Sequence, residues 1–105
     1  MDHVQVEFTI DDRAVGDAIL DSLLADGMVA CGQTVGPIVS RYWWDGSVQE
    51  SEEWMVLLKT RTDLSAPVID AIVAQHPYDT PEVVVLPIVD GALGYLEWID
   101  EVTAG

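Results

Sequence analysis

Residues 38–60 read IVSRYWWDGSVQESEEWMVLLKT. Asp45-Gly46 stands between two β-rich arms, and glycine tolerates the positive φ that a two-residue type I′ turn demands. The turn sets the register. Trp43 falls opposite Val48, and Arg41 falls opposite Glu50, an exposed cross-strand charge pair worth roughly a few tenths of a kcal/mol. The second arm continues through residue 60. The first reaches back through residues 28–35, with Gly36-Pro37 as a bend between its halves. A long antiparallel hairpin at mid-chain makes what flanks it decisive.

Upstream, residues 3–10, HVQVEFTI, alternate as a strand does, with Val4, Val6 and Phe8 on one face. Asp11 or Asp12 is then placed to cap a helix. Ala14, Val15, Ala18, Ile19 and Leu23 recur at helical spacing through residue 26, and Gly27 is a natural stop. Downstream, Asp63 or Ser65 is placed to cap a second helix, with Pro67 in its first turn. Val68, Ile69, Ile72 and Val73 form its stripe, and His76-Pro77 ends it, because the residue before proline is pushed out of the helical region. Residues 83–89 read as a fourth strand and residues 92–102 as a terminal helix. The order β-α-β-β-α-β plus a helix predicts an α+β, ferredoxin-like split βαβ sandwich in one domain, residues 1–105. Its sheet is antiparallel, with the first and third strands central.

The chain has 105 residues, 19 of them acidic against four basic, for a formal net charge of −15. Such a surface repels nucleic acid and anionic membranes and fits a solvated acidic coat, screened in a high-salt setting. No run approaches the roughly 18 apolar residues of a membrane-spanning helix, and no signal peptide is expected. The single cysteine, Cys31, excludes an internal disulfide and a multi-cysteine zinc site, so a cytoplasmic protein is expected.

The fourth strand reads VVVLPIV. Pro87 belongs at an edge, yet both faces of this edge are apolar, an aggregation hazard unless covered. The hairpin carries Tyr42, Trp43, Trp44 and Trp54 on arms longer than one small sheet can cover. Another copy of the chain over both surfaces is the expected solution. Cover by the terminal helix alone is the alternative.

Several stretches in order resemble the CutA divalent-cation tolerance proteins. They are Val29-Ala30-Cys31, Tyr42-Trp43-Trp44-Asp45-Gly46, Glu53 through Leu58-Lys59-Thr60, His76-Pro77-Tyr78-Asp79-Thr80-Pro81-Glu82, Leu86-Pro87 and Tyr95-Leu96-Glu97-Trp98-Ile99. The resemblance covers nearly the whole chain. It implies a homotrimer with strands paired across subunits, a link to tolerance of copper and other divalent cations, and no established catalysis. It also implies a likeness to the trimers of PII signalling proteins, which makes a small-molecule sensor at the intersubunit cleft the alternative function. Family members that are thought to bind copper carry a cysteine in the first strand and a histidine before the His-Pro-Tyr histidine. Phe8 and Gln75 stand there in this chain. Only Glu82 of that trio remains, and a lone carboxylate is a poor match for an imidazole-seeking metal.

Each candidate residue has two readings. His76 either ligates Cu(II) or another divalent cation through a neutral imidazole nitrogen, or bonds a carbonyl in the corner. Glu82 is a second ligand or a turn acceptor. Cys31 is a third soft ligand or a small buried hydrophobe, having no basic neighbour in sequence to activate it. No metal is obligatory. Glu53 and Lys59 lie an even number of residues apart on one strand and so face the same way. With Tyr42 and Tyr78 they are expected either to line a small-molecule cleft or to form a structural ion pair between chains. Trp44, Gly46, Pro77, Pro81 and Trp98 are read as structural. No glycine-rich phosphate loop, nucleophile elbow or His-Glu-x-x-His motif is present, so no enzyme is expected.

Overall fold

Alternation along the first strand is borne out: Val4, Val6, Phe8 and Ile10 are buried along one face. The computed structural model describes residues 2–105. Its elements run β1 (His3–Ile10), α1 (Arg13–Ala25), β2 (Cys31–Trp44), β3 (Ser47–Arg61), α2 (Ser65–Gln75), β4 (Val83–Pro87) and α3 (Leu93–Thr103). The four strands form one antiparallel sheet in the order β2-β3-β1-β4. Ile19 and Leu23 of α1 and Val68 and Ile72 of α2 join Val6, Phe8, Val56 and Leu58 in the core. Ala14, Ala18 and Val73, expected on the apolar stripes, are exposed.

Asp12 caps α1, its Oδ1 accepting from the N–H groups of Ala14 and Val15 at 3.0 and 3.3 Å. Gly27 closes that helix at φ +66°, where a side chain would be strained. The second cap differs from expectation. A 3-10 turn, Thr62–Leu64, runs directly into α2, and neither Asp63 nor Ser65 caps it. Asp63 instead pairs with Arg61 at 3.3 Å, and the Ser65 hydroxyl donates back to the Thr62 carbonyl at 2.8 Å. β4 stops at Pro87 rather than continuing to residue 89.

The Asp45-Gly46 turn takes φ +52° and +79°, and pairs Trp43 with Val48 and Arg41 with Glu50 as read from the sequence. β1 ends opposite Trp54, so residues 38–44 and 47–53 project beyond the sheet as a free hairpin, and the molecule is 44 Å long against 26 and 22 Å across. At the opposite end α3 is tied down by three residues that alternate away from the core face. His3 Nε2 meets Asp100 at 2.8 Å, Arg61 donates to the hydroxyl and carbonyl of Thr103, both at 3.1 Å, and the Cys31 thiol meets the Tyr95 hydroxyl at 3.3 Å. There α3 leaves Val84, Val85 and Leu86 of β4 exposed, so it does not cover the apolar edge.

Candidate functional site

Pro77 forces the backbone of His76 to ψ +135° and stops α2 there. The His76 ring turns inward, edge-on to Phe8 with centroids 6.0 Å apart and to Tyr78 at 4.5 Å. Its Nδ1 accepts from the Tyr78 N–H at 3.1 Å, so Nε2 carries the proton and donates to the Thr9 carbonyl at 2.7 Å. Both ring nitrogens are therefore spent on the corner. The following loop passes the end of β1 and carries Tyr78 across to β3. There the Tyr78 hydroxyl donates to Glu53 Oε2 at 2.9 Å. The phenol is held above its usual range by burial first, then by that hydrogen bond and the Glu53 charge.

Glu53 is only 6% exposed. Its second oxygen, Oε1, accepts no hydrogen bond from any described residue. No fully buried side-chain oxygen among the described residues lacks a partner, so Oε1 opens onto the space beside it. That space is a cleft of about 670 Å³ at the base of the hairpin, between the 77–82 loop and the projecting arms. Pairing alternation puts Tyr42 and Trp44 on the same hairpin face as Glu53, and the Tyr42 hydroxyl bonds Ser51 at 3.2 Å. Val39, Arg41, Trp43 and Val48 occupy the other face. Arg41 and Trp43 nevertheless reach the cleft border, the Arg41 guanidinium bound to Glu50 at 2.9 Å.

Of the predicted ligand-binding residues, Tyr42, Glu53 and Tyr78 share this cleft, and Lys59 does not. Lys59 lies six residues along β3 from Glu53, roughly 20 Å at strand rise, and donates instead to Gln33 Oε1 at 3.2 Å. Strand parity put both on one face but could not bring them together, and no Glu53–Lys59 ion pair forms within the chain. The metal set does not converge either. Glu82 sits at the cleft rim and His76 is closed off. Cys31 is level with Lys59, at the α3 end of the sheet, bonded to Tyr95. Among the described residues no group of three His, Cys, Asp or Glu side chains could hold a metal ion. Phe8, where the copper-associated pattern has cysteine, is fully buried core, and Gln75 bonds the Ala71 carbonyl at 3.0 Å.

Trp44 is exposed, so in a single chain it packs less than its structural reading implies, while Trp98 lies tilted on Tyr95 at 5.7 Å. Sequence reading missed Asp11 and Asp79 at the cleft. Asp11 follows β1 directly, where the sequence marks it as a candidate cap. The signal for its other role is that Asp12 already supplies the cap.

Comparison with known proteins bears on the same residues. Residues 4–102 match the family described as CutA1 divalent ion tolerance protein. A similar rice protein, "Protein CutA 1, chloroplastic", is 37% identical over 100 residues, 95% of this chain and 56% of its own length. The chain thus spans about half of that relative. The divalent-cation tolerance protein CutA of Salmonella newport is 33% identical over 92% of this chain and 84% of its own. The crystal structure of CutA1 from Oryza sativa superposes with a TM-score of 0.93 at 35% identity, covering 97% of this chain and 94% of that one. The periplasmic divalent cation tolerance protein CutA from Archaeoglobus fulgidus gives 0.93 at 33%, covering 96% and 98%. No helix among the described residues is long and apolar enough to cross a membrane.

Proposed function

The chain belongs to the CutA1 divalent ion tolerance family, and from that premise we propose that it works as a homotrimer in tolerance of divalent cations, copper among them, by binding rather than catalysis. One observation carries the assembly. The projecting hairpin shows Trp43 75%, Val39 68% and Val48 58% exposed on one face, while the β4 edge leaves Val84, Val85 and Leu86 open. Burying one such side chain contributes about 1.5–3 kcal/mol. An arm of one copy laid against the edge of the next is a heterologous contact, and three such contacts close a ring with no edge left bare.

The cation contact in this reading is weak or shared between subunits. Within one chain His76, Glu82 and Cys31 do not meet, and the His76 lone pair is taken. A cytoplasmic setting belongs to the same reading, resting on the lone unpaired Cys31. Light scattering tests the assembly: the expected mass is three times 11.5 kDa at micromolar concentration, and a monomer mass overturns it. Calorimetric titration with Cu(II) and Zn(II) tests the cation contact, for which weak saturable binding is expected and none at millimolar metal refutes it.

A further inference from the structure

We propose that the cleft at the base of the hairpin binds an aliphatic polyammonium ion, with Glu53 as its buried anchor and the Tyr42 and Trp44 rings as its wall. The first ground is Glu53 itself. A carboxylate 94% removed from solvent, with one oxygen held by Tyr78 and the other presented to an open cleft, is a preset acceptor for a cationic donor. Holding it there without a second donor is costly, and a ligand ammonium removes that cost.

The second ground is the shape and chemistry around it. The cleft volume, about 670 Å³, is that of a small-molecule site and far exceeds what one metal ion fills. Asp11, Asp79 and Glu82 stand on the border with Glu53, against one guanidinium, Arg41, already engaged by Glu50. Anions are therefore refused. Bare divalent ions are poorly served, since no three ligating side chains converge. Tyr42 and Trp44 lie on the Glu53 face of the hairpin and line the cleft, adding aromatic and apolar area beside the carboxylates. Ammonium groups separated by methylenes match carboxylates separated by aromatic rings: the charges meet Glu53 and the acidic border, and the carbon chain lies on the rings. Every lining residue comes from one chain; Trp43, assigned to assembly, also reaches the cleft, whereas Val39 and Val48 lie on the opposite hairpin face and do not.

A net charge of −15 attracts any polycation, so the test must separate the site from the coat. Calorimetric titration of the full chain with spermidine at about physiological ionic strength is compared for the wild type, Glu53→Gln, Asp21→Asn and Trp44→Ala. Asp21 is an exposed carboxylate of α1, so its substitution makes the same charge change away from the cleft. Glu53→Gln keeps a carbonyl oxygen to accept the Tyr78 hydroxyl. Expected are saturable binding at one site per chain, about tenfold weakening by Glu53→Gln, less than about twofold by Asp21→Asn, and about threefold by Trp44→Ala. Equal weakening by Glu53→Gln and Asp21→Asn, or binding that never saturates, overturns the proposal. Should Glu53→Gln not fold, Trp44→Ala decides alone. Its ring is exposed and outside the core, and unchanged affinity there is equally fatal.

Discussion

Tyr78→Phe is the most informative single change. It deletes one hydroxyl and keeps the ring, so the edge contact with His76 at 4.5 Å survives and no cavity opens. What it removes is the 2.9 Å donor to Glu53, leaving a 6%-exposed carboxylate with no hydrogen bond from any described residue. An orphaned buried polar group costs about 1–3 kcal/mol, more when charged. Water entering the cleft takes over part of the lost bond, which places the expected loss near 1.5 kcal/mol, or about 6–12 °C in melting temperature for a domain of this size. The alkaline limb carries a second signature. Burial and Glu53 raise the Tyr78 phenol above its ordinary value of 10.0, so the folded chain keeps a proton that the unfolded chain loses first. The native state therefore holds its full contribution below pH 10.0 and loses it as pH rises from there, at about 1.4 kcal/mol per pH unit for one proton. Tyr78→Phe removes that proton from the slope. Thermal melts at neutral pH read the first effect, and urea unfolding at neutral pH and above pH 10 reads the second, all at matched protein concentration. A variant that melts within about 2 °C of the parent and keeps its alkaline slope refutes the assignment of Tyr78 as the support of Glu53.

His76→Ala should lower stability, because one buried and one partly buried hydrogen bond go, while leaving copper affinity unchanged in calorimetry; a lost copper site would show that the imidazole exchanges its corner bonds for metal. A Trp43→Lys/Val48→Glu hairpin should reduce the scattering mass to 11.5 kDa at micromolar concentration, and an undisturbed trimer would remove the hairpin from the interface. Added salt should raise the melting temperature, since 19 acidic groups face four basic ones and screening relieves their repulsion; a flat response from low to molar salt contradicts this. Phe8→Ala, at a fully buried position between His76 and the helices, should cost about 3–5 kcal/mol in chemical denaturation.

The fold was legible because its signals are local. Asp45-Gly46 sets its own φ and with it the hairpin register. Asp12 and Gly27 bracket α1, and His76-Pro77 stops α2 by a clash inside one dipeptide. Parity along β1 assigns Phe8 to the core face, and there it is fully buried. The expected cap of α2 does not form because two local bonds compete: Arg61 takes Asp63, and the Thr62 carbonyl takes Ser65.

Side-chain direction is a property of one strand, while proximity belongs to the whole sheet, and the candidate site turned on proximity. Glu53 and Lys59 share a face and lie far apart along it, whereas Glu53 and Tyr78, distant in sequence, are in hydrogen-bond contact because the loop after α2 must round the end of β1 to begin β4. The strand and helix order, the hairpin and the unbalanced charge are already written along the chain, since each follows from near-neighbour sterics or from counting. That His76 spends both nitrogens on the corner and that Glu53 borders a cleft emerge only from packing, because they depend on which distant backbone and side-chain groups the folded chain brings within about 3 Å, the hydrogen-bond range.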